Sequence, residues 1–360
     1  MPRKSFDHAT AEQIDIATIN LAPLQTYLRD HIPDLGELIS AEKFSGGQSN
    51  PTYCLKAGGG TFVLRRKPPG NLLKSAHAVD REFRVMQALH RTDVPVARVR
   101  HLCADETVLG TMFYIMDFVE GRTFWDPALP EVSNEVRAAI YNAMNRTLAA
   151  IHDVNVDAVG LTDFGKSGNY FARQLTRWVR QYRASETEPI EAMDEIIRWL
   201  EAHPAPPDAA PTLVHGDFRL DNMIFDPSGA SVKAVMDWEL STLGHPLADL
   251  AYQCSVLRMP AGDAHLSGLG GLDRTALNIP SERDYVASYC ARRGLDGIDD
   301  WEFYLVFGLF RIAAIVQGVK KRALQGNASS ANAEAVGAMV QPLAETARNI
   351  AANGAVDDTH

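Results

Sequence analysis

Three side chains in one stretch of this 360-residue chain have the types and spacing to do chemistry together. In LVHGDFRLDNMIF, residues 213–225, Asp217 is followed five positions later by Asn222. Asp237 comes 15 residues after that, beyond a turn at Pro227-Ser228-Gly229 and the run VKAVMDW. A carboxylate can accept or orient a hydroxyl proton, and an amide with a second carboxylate offers hard oxygen ligands. That trio suits Mg²⁺ beside nucleotide phosphates and transfer of a phosphoryl group. An isolated Asp-x-x-x-x-Asn recurs by chance in many chains. Here His215 just before it and the hairpin context of Asp237 after it give the trio weight. Asp221 is off this spacing and is expected to be a solvated loop carboxylate. His245 precedes Pro246 and reads as a capping or turn residue, and Trp238 as packing beneath the Asp237 loop.

The elements that must position these groups follow from periodicity. A short helix is expected over residues 21–31. Short runs at 41–45, 52–56, 61–66, 98–104 and 111–117 read as strands, with AGGG (57–60) as a hairpin turn. Alternation within FVLRR places Val63 and Arg65 on one face and Leu64 and Arg66 on the other. Residues 76–91 place Val79, Phe83 and Met86 on one helical face. After Gly121 the pattern turns helical: 133–152, with Ser133 as N-cap, then 170–183, 190–202, 246–258, 282–293, 301–323 and 332–351. The expected fold is α+β. It comprises an N-terminal arm and short helix (1–36), an N-terminal lobe of a five-stranded antiparallel sheet plus one helix (37–118), and a mostly helical C-terminal lobe (119–360).

VHGDFRLDNMIF followed by VMDWELSTLGHPLADLAY resembles the aminoglycoside phosphotransferase/choline kinase superfamily, which shares the protein-kinase-like fold. FVLRRKPPG (62–70), SAHAVDREFRVMQAL (75–89) and YIMDFVEGR (114–122) resemble the subgroup whose domain also occurs fused to acyl-CoA dehydrogenases. The resemblance spans about residues 36–330. It implies a two-lobed fold, ATP and Mg²⁺ as cofactors, and a role for each matching residue. Asp217 would orient or deprotonate the acceptor hydroxyl, and Asn222 and Asp237 would hold Mg²⁺. His215 would support the catalytic loop, and Asp249, in HPLADLA, would brace it through backbone hydrogen bonds. Arg65 stands where the nucleotide-binding Lys is usual, with Glu82 as its helix partner. Gly46, Gly47, Ser49 and Asn50 would lie in the loop over the phosphates, and Asp117 and Val119 in the hinge that meets the adenine. The sequence departs from the protein-kinase pattern in four places: Gly216 replaces the Arg of the catalytic loop, Arg65 replaces the Lys, Asp237-Trp238-Glu239 stands where D-F-G is usual, and no G-x-G-x-x-G is present. Arg keeps its charge and can fork onto phosphate oxygens, so the second departure leaves nucleotide binding possible.

Lys plus Arg number 35 and Asp plus Glu 45, a formal charge of −10. That opposes non-specific binding to nucleic acid or an anionic membrane, which need a positive surface. The expected partner is a small-molecule acceptor. The four cysteines fit no zinc spacing and read as reduced thiols. No secretory leader is expected, the apolar segment 303–316 is too short to span a bilayer, and the expected compartment is the cytoplasm. The subgroup resemblance favours a hydroxyacyl acceptor. An anionic acceptor would want basic residues near Asp217, and Arg219, Arg258 and Arg311 are the candidates. Arg311 is flanked by apolar residues, so its burial would demand an anionic partner. The alternatives are an aminoglycoside, sugar or amino-alcohol kinase, and an ATP-binding pseudokinase-type regulator. Survival of Asp217, Asn222 and Asp237 argues against the last.

Overall fold

The computed structural model describes residues 19–44, 50–68, 77–166, 168–203, 205–207, 210–262, 266–326 and 333–355. They form two compact units. The first takes the described residues up to Thr123 together with Asn222–Ser241, and the second takes Phe124–Asp221 and the described residues from Thr242 onward.

In the first unit, β1 (Leu38–Lys43), β2 (Thr52–Ala57), β3 (Gly60–Arg66), β4 (Val99–Cys103) and β5 (Phe113–Asp117) make an antiparallel sheet in the order β1-β2-β3-β5-β4. One face carries Leu55, Phe62, Leu64, Phe113 and Ile115, which pack with α1 (Leu21–His31) through Leu24 and Leu28. Residues 19–35 therefore belong to the body of this unit, not to an arm, because their apolar side chains complete its core; residues 1–18 lie outside the described residues. The chain has the strand alternation it needs for the opposite face, where Arg65 sits between Thr52 on β2 and Tyr114 on β5. Helix α2 (Val79–Leu89) supplies this face's cover, burying Val79, Glu82, Val85, Met86 and Leu89. A single turn, α3 (Glu106–Leu109), is capped by Asp105.

Residues 222–241 join this unit as a hairpin, β7 (Met223–Phe225) with β8 (Val232–Val235), preceded in the chain by β6 (Thr212–Val214) of the second unit. This differs from the expected partition, which kept everything after residue 118 together. The cause is a local set of bonds. Arg122 N–H donates to Phe225 O at 2.9 Å, the Arg122 guanidinium donates to Asp226 O and Gly229 O, and Val235 N–H donates to Pro95 O at 2.8 Å. Gly121 permits the approach, since a Cβ there would lie 2.3 Å from both Ile224 Cγ2 and Phe225 O.

The second unit pairs β6 with β9 (Thr242–Gly244) and is otherwise helical: α4 (Asn134–His152), α5 (Tyr170–Ser185), α6 (Glu191–Ala202), α7 (Leu247–Arg258), α8 (Glu282–Arg293), α9 (Trp301–Leu324), α10 (Ala333–Gly337) and α11 (Val340–Asn353). Ser133 caps α4 as expected, accepting from Val136 N–H at 3.4 Å. The C-terminal helix expected as one piece is two: α10 ends at Gly337, packed so that a Cβ would come within 2.9 Å of Lys320 Cβ, and α11 starts at Val340. Helix α9 extends beyond the apolar segment seen in the sequence. Its length and apolar character would suffice to cross a bilayer, yet 83% of its most apolar stretch is buried by the protein itself, as in a core helix. It packs against α5, α6, α7, α10 and α11. All four cysteines are free thiols.

Candidate active site

In the first unit the candidate residues converge on Arg65. Its Nε donates to Glu82 Oε2 at 2.8 Å, its Nη2 to Asp237 Oδ1 at 2.7 Å and its Nη1 to Thr52 Oγ1 at 3.3 Å. Strand alternation selects it over Arg66, which lies on the α1 face. Glu82 sits on the apolar stripe of α2 and is only 1% exposed. Burial pushes its carboxyl up, Arg65 pulls it back, and it titrates at about 7. Burial works against the charge on Arg65, but Glu82 and Asp237 outweigh it and hold its pKa above the usual arginine value. The guanidinium is thus a fixed cation that tethers two carboxylates.

Asp237 adopts left-handed backbone angles, φ 62° and ψ 60°, which cost a non-glycine residue roughly 1–2 kcal/mol. Such strain recurs at functional positions. Fully buried Trp238 anchors the turn, its Nε1–H donating to Val235 O at 3.0 Å, as expected of a packing residue. Met236 N–H donates to Asn222 O at 2.8 Å, so the backbones of the two expected metal ligands run side by side. No cluster of three or more His, Cys, Asp or Glu side chains able to hold a metal occurs among the described residues. One carboxylate and one amide oxygen, with phosphate and water completing the shell, is a donor set that fits Mg²⁺.

In the second unit the loop after β6 carries Asp217. Asp249, the first-turn acid of α7, accepts from His215 N–H at 2.6 Å and Gly216 N–H at 2.9 Å, the bracing that was expected of it. Gly216 has φ 84°, a conformation that explains why glycine stands where protein kinases carry Arg. Burial alone would raise the Asp249 carboxyl, but His152, His215 and the backbone donors hold it below the usual range. His215 is fully buried and its Nδ1 accepts from Asp217 N–H at 3.2 Å. Asp217 Oδ1 accepts from the Tyr252 hydroxyl at 2.5 Å. Burial would raise the Asp217 carboxyl too. Arg219, the Tyr252 hydroxyl, His215 and Arg311 together hold it below the ordinary value, so it is an ionised acceptor at neutral pH.

The remaining expected residues fare differently. Gly46, Gly47 and Ser49 lie outside the described residues. Asn50 is fully buried, its amide donating to Glu239 Oε2 at 3.2 Å and its oxygen 3.1 Å from His77 Nδ1, so its side chain is committed to protein partners. Asp117 ends β5 and accepts from Arg100 Nε at 2.5 Å; Val119 follows it, half-buried. Arg258 is withdrawn from the acceptor candidates, because its fork lies on Glu282 at 2.6 and 2.8 Å and binds α7 to α8. Arg311 is 7% exposed and makes no direct ion pair among the described residues, although its charge acts on Asp217. It donates to Gly216 O and lies over the rings of Trp178 (5.5 Å) and Tyr252 (5.2 Å), so a carbonyl and two aromatic faces replace the expected counter-ion. Arg219 pairs with Asp221, whose side chain is 13% exposed, which corrects the expectation of a solvated Asp221. His245 accepts from Leu247 N–H and so caps the start of α7. Sequence reasoning missed Tyr252; the signal available was its place one helical turn after Asp249 in LADLAY.

Comparison with known proteins adds a family and a fold. A family model described as the phosphotransferase enzyme family matches residues 40–284. The chain is 49% identical to mouse acyl-CoA dehydrogenase family member 10 over 309 residues, covering 86% of this chain and 29% of that protein. It is 40% identical to human acyl-CoA dehydrogenase family member 11 over 328 residues, covering 90% and 42%. The chain thus spans less than half the length of these curated relatives. A crystal structure of a Ralstonia eutropha protein described as a candidate aminoglycoside phosphotransferase superposes with a TM-score of 0.84 at 48% identity, covering 92% of this chain and 98% of that one. An aminoglycoside phosphotransferase solved with ADP and hygromycin B gives a TM-score of 0.60 at 15% identity, covering 91% and 98%, a likeness of fold alone. The fold is protein-kinase-like.

Proposed function

This chain belongs to the phosphotransferase enzyme family, and from that premise we propose that it transfers the γ-phosphoryl group of ATP, with Mg²⁺, to a hydroxyl of a small hydroxyacyl compound. The observation that carries the reading is Asp217: an ionised carboxylate on a loop braced by Asp249, held through Oδ1 by the Tyr252 hydroxyl. In the transfer the acceptor oxygen bonds the γ-phosphorus, the bond to the β–γ bridging oxygen breaks, and ADP leaves. The acceptor's proton passes to Asp217. Asn222 and Asp237 would hold Mg²⁺, which when bound neutralises charge on the phosphates. Arg65, tied to Glu82, keeps a fixed positive charge beside Asp237 and would meet phosphate oxygens. The protein's contribution is positioning and charge, which is what phosphoryl transfer asks of it.

The relatives named as acyl-CoA dehydrogenase family members carry a stretch like this one within much longer chains, which supports an acyl compound as acceptor. The Ralstonia protein's description supports the second reading, an aminoglycoside. Acceptor-dependent release of ADP over a panel of hydroxy acids, hydroxyacyl-CoA thioesters, aminoglycosides and amino alcohols tests the proposal, with the phosphorylated product identified by mass. Asp217→Asn should cut turnover by about 10²–10⁴. ADP release that no acceptor stimulates, or that Asp217→Asn leaves intact, refutes it.

A further inference from the structure

Helix α5 is set apart electrostatically from the rest of the molecule. In a chain of net charge −10 its sequence, YFARQLTRWVRQYRAS, holds four arginines and no acidic residue. Its buried face is Tyr170, Phe171, Trp178, Tyr182 and Ser185, packed towards α9. Arg173, Arg177 and Arg180 fall together on one flank of the helix at spacings of four and three. Arg183, further round, pairs with Glu186 and Asp194. Arg177 and Arg180 are exposed, and among the described residues no acidic side chain pairs with either.

This flank connects to Asp217 through side chains of the same unit. The Arg177 guanidinium lies 5.3 Å from the Trp178 ring and that of Arg311 5.5 Å from the same ring. Arg311 donates to Gly216 O, next to Asp217, and covers Tyr252, whose hydroxyl holds Asp217. Along this path the buried Trp178 Nε1 and Arg311 Nε, and near Asp217 the Nε of Arg219, have no hydrogen-bond partner among the described residues. All three are donors, and with the arginines beside them they leave the positive potential of this region uncompensated, which favours a negatively charged ligand at its surface.

We propose that the acceptor carries an anionic group and that Arg177 and Arg180 of α5 receive it while its hydroxyl meets Asp217. This rests on the kinase reading above and narrows it: a carboxylate or phosphate on the acceptor is attracted by this flank, and a polycationic aminoglycoside is repelled. Arg219 and Arg311 add positive charge around Asp217; the further carboxylates there are Asp221, held by Arg219, and Asp249, held by the His215 and Gly216 N–H groups.

The test is calorimetric titration of the full chain with a hydroxy acid, its CoA thioester, coenzyme A alone and streptomycin, comparing wild type with the double variant Arg177→Glu, Arg180→Glu. Both residues are exposed, so the variant should fold normally, checked by an unchanged Tm. The expected result is an anionic ligand that binds wild type, weakens with added salt, and binds the variant about tenfold or more weakly with a shallower salt dependence. ATP affinity should be unchanged. If the thioester and coenzyme A bind but the free acid does not, phosphate is the recognised group; the reverse pattern assigns carboxylate. Equal affinity of wild type and variant for every anion, binding of none of the anions, or tighter binding of streptomycin than of any anion overturns the proposal. Anion binding that depends on α5 but never leads to a phosphorylated product would instead sink the kinase reading and leave the anion site standing.

Discussion

Tyr252→Phe removes one hydrogen bond and little else. The hydroxyl donates to Asp217 Oδ1 at 2.5 Å, the ring packs under Arg311 at 5.2 Å, and phenylalanine keeps that ring. A hydrogen bond to a charged group contributes about 1.5–3 kcal/mol. Two consequences oppose each other. Without the bond Asp217 becomes a stronger base, because the Tyr252 hydroxyl is among the groups that hold its carboxyl low. It also loses the contact that fixes Oδ1 and with it the orientation of the carboxylate. In a loose, metaphosphate-like transition state the proton moves little, so basicity counts for less than placement. Placement should win, and kcat should fall by about tenfold or more, the lower part of what 1.5–3 kcal/mol allows. The acid limb of kcat/KM should move to higher pH, towards the ordinary carboxylate value, since the folded carboxyl is now less depressed. Steady-state kinetics across pH with the best acceptor, KM for ATP measured alongside, is the assay. An unchanged kcat with an unmoved acid limb would refute the reasoning; a fall in melting temperature that accounts for the lost activity would show Tyr252 to be structural instead.

Asp237→Ala should weaken nucleotide binding in the presence of Mg²⁺ far more than in its absence, since alanine offers no oxygen; equal losses in the two titrations would make Asp237 purely structural. Arg65→Ala should raise KM for ATP and lower turnover, with Arg65→Lys in between because a point charge loses the fork, whereas Arg66→Ala, on the α1 face, should change neither. Asp249→Asn places an amide against two backbone donors and His152 and should cost about 3 kcal/mol of stability, seen as a lower Tm and denaturant midpoint. The Asp249 carboxyl titrates lower folded than unfolded, so it stabilises above the ordinary carboxylate range and that contribution fades as falling pH protonates the folded form. The Asn variant should therefore show a flatter loss of stability in acid than wild type, and parallel curves would contradict the assigned role.

What the sequence determined by itself was whatever short-range order controls. Strand alternation puts Arg65 and Arg66 on opposite faces, and the family resemblance pointed to Arg65 with Glu82 as its helix partner, the pair that the structure joins. Asp217, Asn222 and Asp237 were legible because loop and hairpin fix their spacing within a few residues, and α1 and the cap at Ser133 were legible from local composition. Tertiary structure decided what depends on contacts between distant positions. Residues 222–241 group with the first unit because Arg122 and Pro95 bond a hairpin more than 100 residues away, which no periodicity encodes. Tyr252 reaches Asp217 across 35 residues and Arg311 reaches Gly216 across 95, each brought there by the packing of α7 and α9. Arg258 shows the same limit from the other side: its charge suggested an acceptor site, and only the fold revealed that Glu282 of α8 already holds it, because a charge in a sequence carries no record of the partner that packing will bring.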